Sequence, residues 1–156
     1  MPKLIANKKV YVGFTTTAPV SFSAPKVAEV TAATNLTALL VTLDSSTRGN
    51  VVATPSLDTT FETSIAGTVT ATFTAEFYRD DTLASDKAWT TLPRGTTGYF
   101  YISRFVPSPI VGTKIEVWPV QVTSRTAIAL ANNDSQRMSI ECSVFSEPTE
   151  DATVAA

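Results

Sequence analysis

Histidine is absent from this chain of 156 residues, and cysteine occurs once, at Cys142. Without histidine no Ser–His–Asp or Cys–His nucleophilic arrangement can be built, and the side chain most often used for general acid–base catalysis is missing. A closed zinc site needs about four Cys or His ligands, so that class is excluded. Cys142 has no internal disulfide partner. It alternates with Met138, Ile140 and Val144, which marks it as a small buried hydrophobe. The six glycines stand apart, so no Gly-rich phosphate cradle exists. Charge is scarce too, at 17% of residues with a net of -2. The lysines and arginines are scattered, adjacent only at Lys8-Lys9, which excludes the clustered basic footprint of a tight nucleic-acid binder. No apolar run approaches the roughly twenty residues of a membrane helix. Val10–Phe14 is too short for the core of a secretion signal, so the chain is expected to be made in the cytoplasm. Asn35-Leu36-Thr37 matches a glycosylation sequon, read as chance without a secretory route.

What the chain has in quantity is threonine, a β-branched residue that suits pleated surfaces. The stretch Thr68–Tyr78 sorts it cleanly. Val69, Ala71, Phe73, Ala75 and Phe77 occupy one parity, and Thr68, Thr70, Thr72, Thr74, Glu76 and Tyr78 the other. Side chains of a strand alternate between faces, so this run has one apolar side and one hydroxyl-rich side. Arg137–Phe145 alternates in the same way, with Ser139, Glu141 and Ser143 against Met138, Ile140, Cys142 and Val144. Further strands are expected at Lys9–Phe14, Leu36–Leu43, Val51–Ala53, Gly98–Phe105 and Lys114–Thr123. The last contains Pro119 and a change of parity around it, which predicts a bulge or an edge.

Ser85–Leu92 changes period, with Ala84, Ala88 and Leu92 at i, i+4 and i+8, and predicts a short amphipathic helix closed by Pro93 and Gly95. Ser23–Val30 resembles a capped helical turn. Thr15–Pro25, Asp44–Asn50 and Val106–Gly112 read as loops, Asn132–Asp134 as a turn, and 147–156 as an unanchored tail. The fold class is mainly β: a β-sandwich or partly closed barrel of seven to eight strands with one flanking helix at about 85–92. One domain covers 1–146, with polar loops at 15–25 and 44–55, followed by the short tail 147–156. The expected core includes Val69, Phe73, Phe77, Trp89, Leu92, Phe100, Ile140 and Val144.

Paired carboxylates remain as candidates for chemistry. Asp80-Asp81, with Asp86 nearby, precede the predicted helix, where acids favour its N-terminal dipole; a weak calcium or magnesium contact is the alternative. Asp58 and Glu62 read as solvated. Trp89, Tyr99, Phe100, Tyr101 and Phe105 could form a stacking platform, but with only Arg94 and Arg104 close by they read better as helix-on-sheet packing. No enzyme is expected, nor any catalytic residue, cofactor or metal.

Taken in order, Leu57–Thr63, Gly67-Thr68, Glu76–Asp81, Ala88-Trp89, Leu92–Thr96, Gly98-Tyr99 and Glu116–Pro119 give a string that resembles the major tail (tail tube) proteins of long, non-contractile-tailed bacteriophages. It is most similar to those infecting actinobacteria. The resemblance spans essentially the whole chain, without the immunoglobulin-like C-terminal domain that some relatives append. It implies a virion protein of the phage tail, partnered by itself in stacked hexameric rings and by other tail components. In such rings the strands of all subunits join into one lumenal barrel that DNA contacts passively during genome delivery. Two hydroxyl-rich faces are then candidates for the bore: Thr68, Thr70, Thr72, Thr74 and Glu76 first, and Ser139, Glu141 and Ser143 second. The polar loops and the C-terminal tail are candidates for ring-to-ring contacts. The competing expectation is a monomeric β-sandwich module that binds carbohydrate or a receptor through the aromatic cluster.

Overall fold

The structure, a computed structural model, describes residues 8–156; residues 1–7, where a leader would begin, lie outside them. Among the described residues eight strands form one antiparallel sheet. They are β1 (Tyr11–Thr15), β2 (Thr34–Asn35), β3 (Leu40–Ala53), β4 (Ser64–Tyr78), β5 (Thr97–Ser103), β6 (Lys114–Ala127), β7 (Arg137–Val144) and β8 (Thr149–Thr153). Their order is β2-β1-β5-β6-β7-β4-β3, with β8 added beside β6. Two short helices accompany the sheet, α1 (Val27–Ala32) and α2 (Lys87–Thr91).

β6 serves two half-sheets at once. One edge pairs with β5 from Glu116 to Gln121. The other edge pairs first with β8, over Lys114–Val117, and then with β7, over Val120–Ala127. The sheet folds over about this shared strand without closing. Phe73 of β4 stacks on Phe100 of β5 with ring centroids 4.7 Å apart, although those two strands are not hydrogen-bonded neighbours. The halves therefore face each other across a core, in the manner of a sandwich. Phe14 at 4.9 Å from Phe100 and Trp118 at 5.8 Å from Phe73 extend this aromatic centre.

A second, smaller core lies on the opposite side of β1, β5, β6 and β8. Tyr11, Val30, Tyr101, Ile115, Val117, Ala152 and Val154 pack there against α1. This explains the parity change around Pro119, which is not a bulge. Register runs unbroken from Glu116 opposite Ile102 to Gln121 opposite Thr97. Trp118, Val120 and Val122 face the main core while Ile115 and Val117 face the second, and a strand covered on both sides loses its alternation. The Pro119 carbonyl accepts from Phe145 N–H at 3.3 Å. The missing Pro119 N–H therefore lies on that same edge, where the neighbouring strand changes from β8 to β7. The irregularities of β6 lie to either side of Pro119, between Ile115 and Val117 against β8 and between Val122 and Ser124 against β7.

Two other expectations need correction. Asp44–Asn50 is not a loop, because β3 runs through it, paired with β4 from Asp44 to Gly49 and shifting register only at Asn50. Residues 147–156 are not an unanchored tail: β8 is built from them, and Ala155 N–H donates to Pro25 C=O at 2.8 Å. The capped turn expected at Ser23–Val30 is there as a helix, shifted to Val27–Ala32. Its Glu29 carboxylate accepts from Lys26 N–H at 2.8 Å and from Val20 N–H at 2.9 Å, which ties down the preceding loop. The helix expected at Ser85–Leu92 spans Lys87–Thr91.

Of the expected core, Phe73, Phe77, Leu92, Phe100 and Ile140 are buried and Val144 is half-buried against them. Trp89 is half-buried, with the guanidinium of Arg79 at 3.8 Å and that of Arg125 at 3.7 Å from its ring centre. Two cations that close to one centre cannot share a face, so they sandwich the indole. Buried Asp86 accepts from Arg79 Nε at 2.8 Å, so Asp86 anchors the loop before α2, while Asp80 and Asp81 point to solvent. Val69 is not in the core; it is 64% exposed, because β4 has by then run past the strand that would cover it.

Two predictions follow from this packing. Deleting residues 151–156 removes buried Ala152 and Val154, and the truncated chain is expected to lose more than about 2 kcal/mol of stability, read as a lower urea midpoint. Stability is also expected to fall as pH rises above 9. Burial pushes the Cys142 thiol from 9.0 up to about 12 and the Tyr101 phenol, chiefly by burial and then by the Glu29 charge, from 10.0 up to about 12. The unfolded chain releases these protons first, so the native state loses ground between those pH limits; thermal melts across pH 8 to 11 at constant ionic strength check it.

Candidate functional site

The two hydroxyl-rich runs converge on one surface. Thr72, Thr74 and Glu76 of β4 stand opposite Ser143, Glu141 and Ser139 of β7, and opposed residues of an antiparallel ladder project to the same side. β3 adds Thr42, Asp44, Ser46 and Arg48, opposite Glu76, Thr74, Thr72 and Thr70. β6 adds Gln121, Ser124 and Thr126, opposite Ser143, Glu141 and Ser139. The result is a four-stranded sheet, β6-β7-β4-β3, whose inner face is the main core and whose outer face is polar throughout. Thr70 and Thr68 continue the same parity beyond Thr72, where β7 no longer accompanies β4.

Sequence reasoning missed the β3 and β6 contributions. The period-two signal Thr42, Asp44, Ser46, Arg48 is present, but the alternate residues Ser45 and Thr47 are polar as well and mask it. Their polarity has a tertiary cause. Arg104 donates to Ser45 Oγ at 3.1 Å, and Thr47 Oγ1 donates to Glu150 Oε1 at 3.1 Å. The Thr123 irregularity hides Ser124 and Thr126 from the β6 alternation in the same way.

The face is mildly acidic. Arg137 Nη1 pairs with Glu76 Oε1 at 2.8 Å, leaving each neutralised by the other. Asp44 and Glu141 flank Thr74 from either side and have no ion-pair partner among the described residues. Several hydroxyls are satisfied locally: Ser46 with Thr72 at 2.9 Å, Thr70 to the Arg48 carbonyl at 3.3 Å, and Thr123 to the Glu141 carbonyl at 2.9 Å. Such a surface is wet and smooth, with little cationic charge to grip an anion.

Both lateral edges of this four-stranded unit are open. β3 pairs only with β4. On the far side β5 accompanies β6 to Gln121, and the last contacts are those of Val122 with Gly95 and Thr96, so among the described residues no strand covers that edge of β6 beyond. Open strand edges are templates for pairing with another chain.

Beyond Thr72 the β3–β4 hairpin continues as a two-stranded arm with its tip near Leu57–Phe61. An isolated two-stranded ribbon is marginal in water. This one nonetheless exposes Val52, Ile65 (59%), Val69 and Phe61 (77%). At its root Val69 and Ala71 face Val144, Phe145 and Pro148 across an open cleft of about 490 Å³. A contiguous apolar stripe of this kind marks an interaction surface.

The aromatic cluster is not a platform. Phe100 and Tyr101 are fully buried in the two different cores, and Trp89 is occupied on both faces by arginine. Tyr99 packs between Phe22 at 5.7 Å and Phe145 at 6.0 Å, and Phe105 stands apart and exposed.

Comparison with known proteins gives a family and three similar structures. A family model described as phage tail tube protein matches residues 1–156. The fold is similar to a chain in the virion of a native gene transfer agent particle, with a TM-score of 0.58, 12% identity, and coverage of 94% of this chain and 98% of that one. It is similar to a chain in the tail of an empty gene transfer agent particle with C6 symmetry (TM-score 0.55, 13% identity, 92% and 95% covered). It is likewise similar to a chain in the six-fold symmetrised baseplate of an anti-feeding prophage (TM-score 0.54, 8% identity, 96% of each covered). A search of curated protein sequences finds no match.

Proposed function

Because the chain belongs to the phage tail tube protein family, a structural component of the phage tail and not an enzyme, we propose that copies of it close into hexameric rings with the polar face of β6-β7-β4-β3 turned to the bore. One observation carries this reading. Both predicted hydroxyl-rich runs lie on one face of a single sheet unit whose two lateral edges are open. β6, β7, β4 and β3 alternate in direction, so β3 runs opposite to β6. The β3 edge of one copy can therefore join the β6 edge of the next in antiparallel pairing, and closure of the ring removes every open edge of the unit. Six-fold symmetry is supported by the C6 tail and the six-fold baseplate among the structural relatives.

In this arrangement Thr68, Thr70, Thr72, Thr74, Glu76, Ser139, Glu141 and Ser143 line the conduit. Hydroxyls and unpaired carboxylates dominate this lining, and Arg48 is its one cation outside an ion pair among the described residues, so DNA meets no dense array of cations whose counterion release would hold it in place. The subunit acts as one domain, with β8 as part of it. The arm is the contact to a neighbouring copy or ring, since its apolar side chains are left exposed by the described residues. Rings assemble in the host cytoplasm and stack with other tail components at their ends.

Replacing Thr72 with Lys is expected to leave tubes intact in negative-stain images and to slow genome ejection several-fold. Normal ejection from normal tubes would remove Thr72 from the bore. Replacing Ile65 with Asp is expected to change subunit stability by no more than about 1 kcal/mol, because the side chain is 59% exposed and lies outside both cores with only Val52 opposite it, while abolishing tubes in the same images. Full-length tubes from this variant would sink the role of the arm.

A further inference from the structure

We infer that the cleft around Arg48 is a phosphate-contact site, which takes the phosphodiester backbone of DNA as it passes the polar face. The inference rests on the reading that this face lines the bore. Two cations project from the face. Arg137 is neutralised by Glu76 at 2.8 Å. Arg48 is exposed and has no ion-pair partner among the described residues.

Arg48 shares a cleft of about 410 Å³ with Ser46, Thr70 and Thr72. The hydroxyls of Ser46 and Thr72 lie 2.9 Å apart. In such a pair one O–H is used between them, and the other proton stays free to donate outward. Thr70 spends its proton on the Arg48 carbonyl and so adds no competing demand on the guanidinium. The lining therefore offers one guanidinium fork and one hydroxyl donor, with no carboxylate in it. That donor set suits a tetrahedral anion approached from the open side.

The neighbouring charges explain why such a site would guide DNA without arresting it. Asp44 is four residues from Arg48 along β3, about 13 Å at the rise of a strand, and Glu141 is level with it across Thr74. That separation exceeds the Debye length of about 8 Å at physiological salt, so the carboxylates do not cancel Arg48. Along the strands, then, a basic row is followed by a neutral hydroxyl row and an acidic one. A phosphate held at the first is repelled at the third. Repetition of the row around a ring makes individually weak contacts act together on one duplex.

The full-length subunit titrated with inorganic phosphate, and separately with dimethyl phosphate, is expected to show saturable NMR shifts at Arg48, Thr70 and Thr72 in the millimolar range, as for any single exposed phosphate contact. The shifts should vanish in Arg48→Ala and persist in Arg48→Lys. Response to inorganic phosphate alone would assign the cleft to free phosphate and overturn the DNA contact. In assembled tubes, a short duplex should bind about tenfold more weakly to Arg48→Ala at low salt, with a shallower salt dependence. Equal DNA uptake by wild-type and Arg48→Ala tubes overturns the site and leaves the conduit intact. Absence of tubes overturns the conduit, while the subunit titration still decides whether the cleft takes phosphate.

Discussion

The whole architecture hangs on β6 being buried on both faces and shared along both edges. Its even residues from Trp118 to Val122 complete the aromatic core around Phe73 and Phe100, and its odd residues Ile115 and Val117 complete the second core under α1. One edge is divided between β8 and β7 at Pro119, the residue that needs no partner for an N–H. The two half-sheets are thereby held in a fixed relation by a single strand. Each of them also buries an apolar face on which neither could fold alone.

That relation determines which surface is left for assembly. The half made of β1, β5, β8 and the first part of β6 is covered by α1 and the loop that Glu29 ties down. The half made of β7, β4, β3 and the last part of β6 has its inner face filled and its outer face bare. A bare face rich in hydroxyls, bounded by open edges, is unstable against pairing with a copy of itself and benign toward a polyanion. These two properties suit the proposed role of this face as a wall made from repeated subunits. The arm adds exposed apolar side chains, among them Phe61, Ile65 and Val69.

Electrostatics refine this picture at the level of single residues. Ion pairs such as Glu76 with Arg137 and Asp86 with Arg79 consume most of the cations near the sheet ends. Arg125 is directed into the packing around Trp89. Arg48 is thus left as an isolated positive group on a face that is otherwise neutral or acidic. Its isolation, more than its mere presence, gives it significance.

Thr68–Tyr78 and Arg137–Phe145 were legible as two-faced strands because a period of two is a local property of the chain, and so was the exclusion of histidine-based catalysis. The two helices were legible from capping and period, α2 with its ends off by a residue or two. The mostly β class and the polar character of the surface were therefore determined by the residues in order. What only the folded chain decided was which strands share a face, because pairing of β4 with β7 and β3 depends on contacts far apart in sequence. The strand through Asp44–Asn50 was hidden since its alternate side chains are polar to suit Arg104 and Glu150, and β8 was hidden since its stability comes from β6. Burial on both sides erased the alternation of β6, and the absence of any covering strand exposed Val69 despite its apolar parity. Local pattern sets what each face is made of; long-range pairing sets which faces meet, since that choice is made by partners the pattern does not contain.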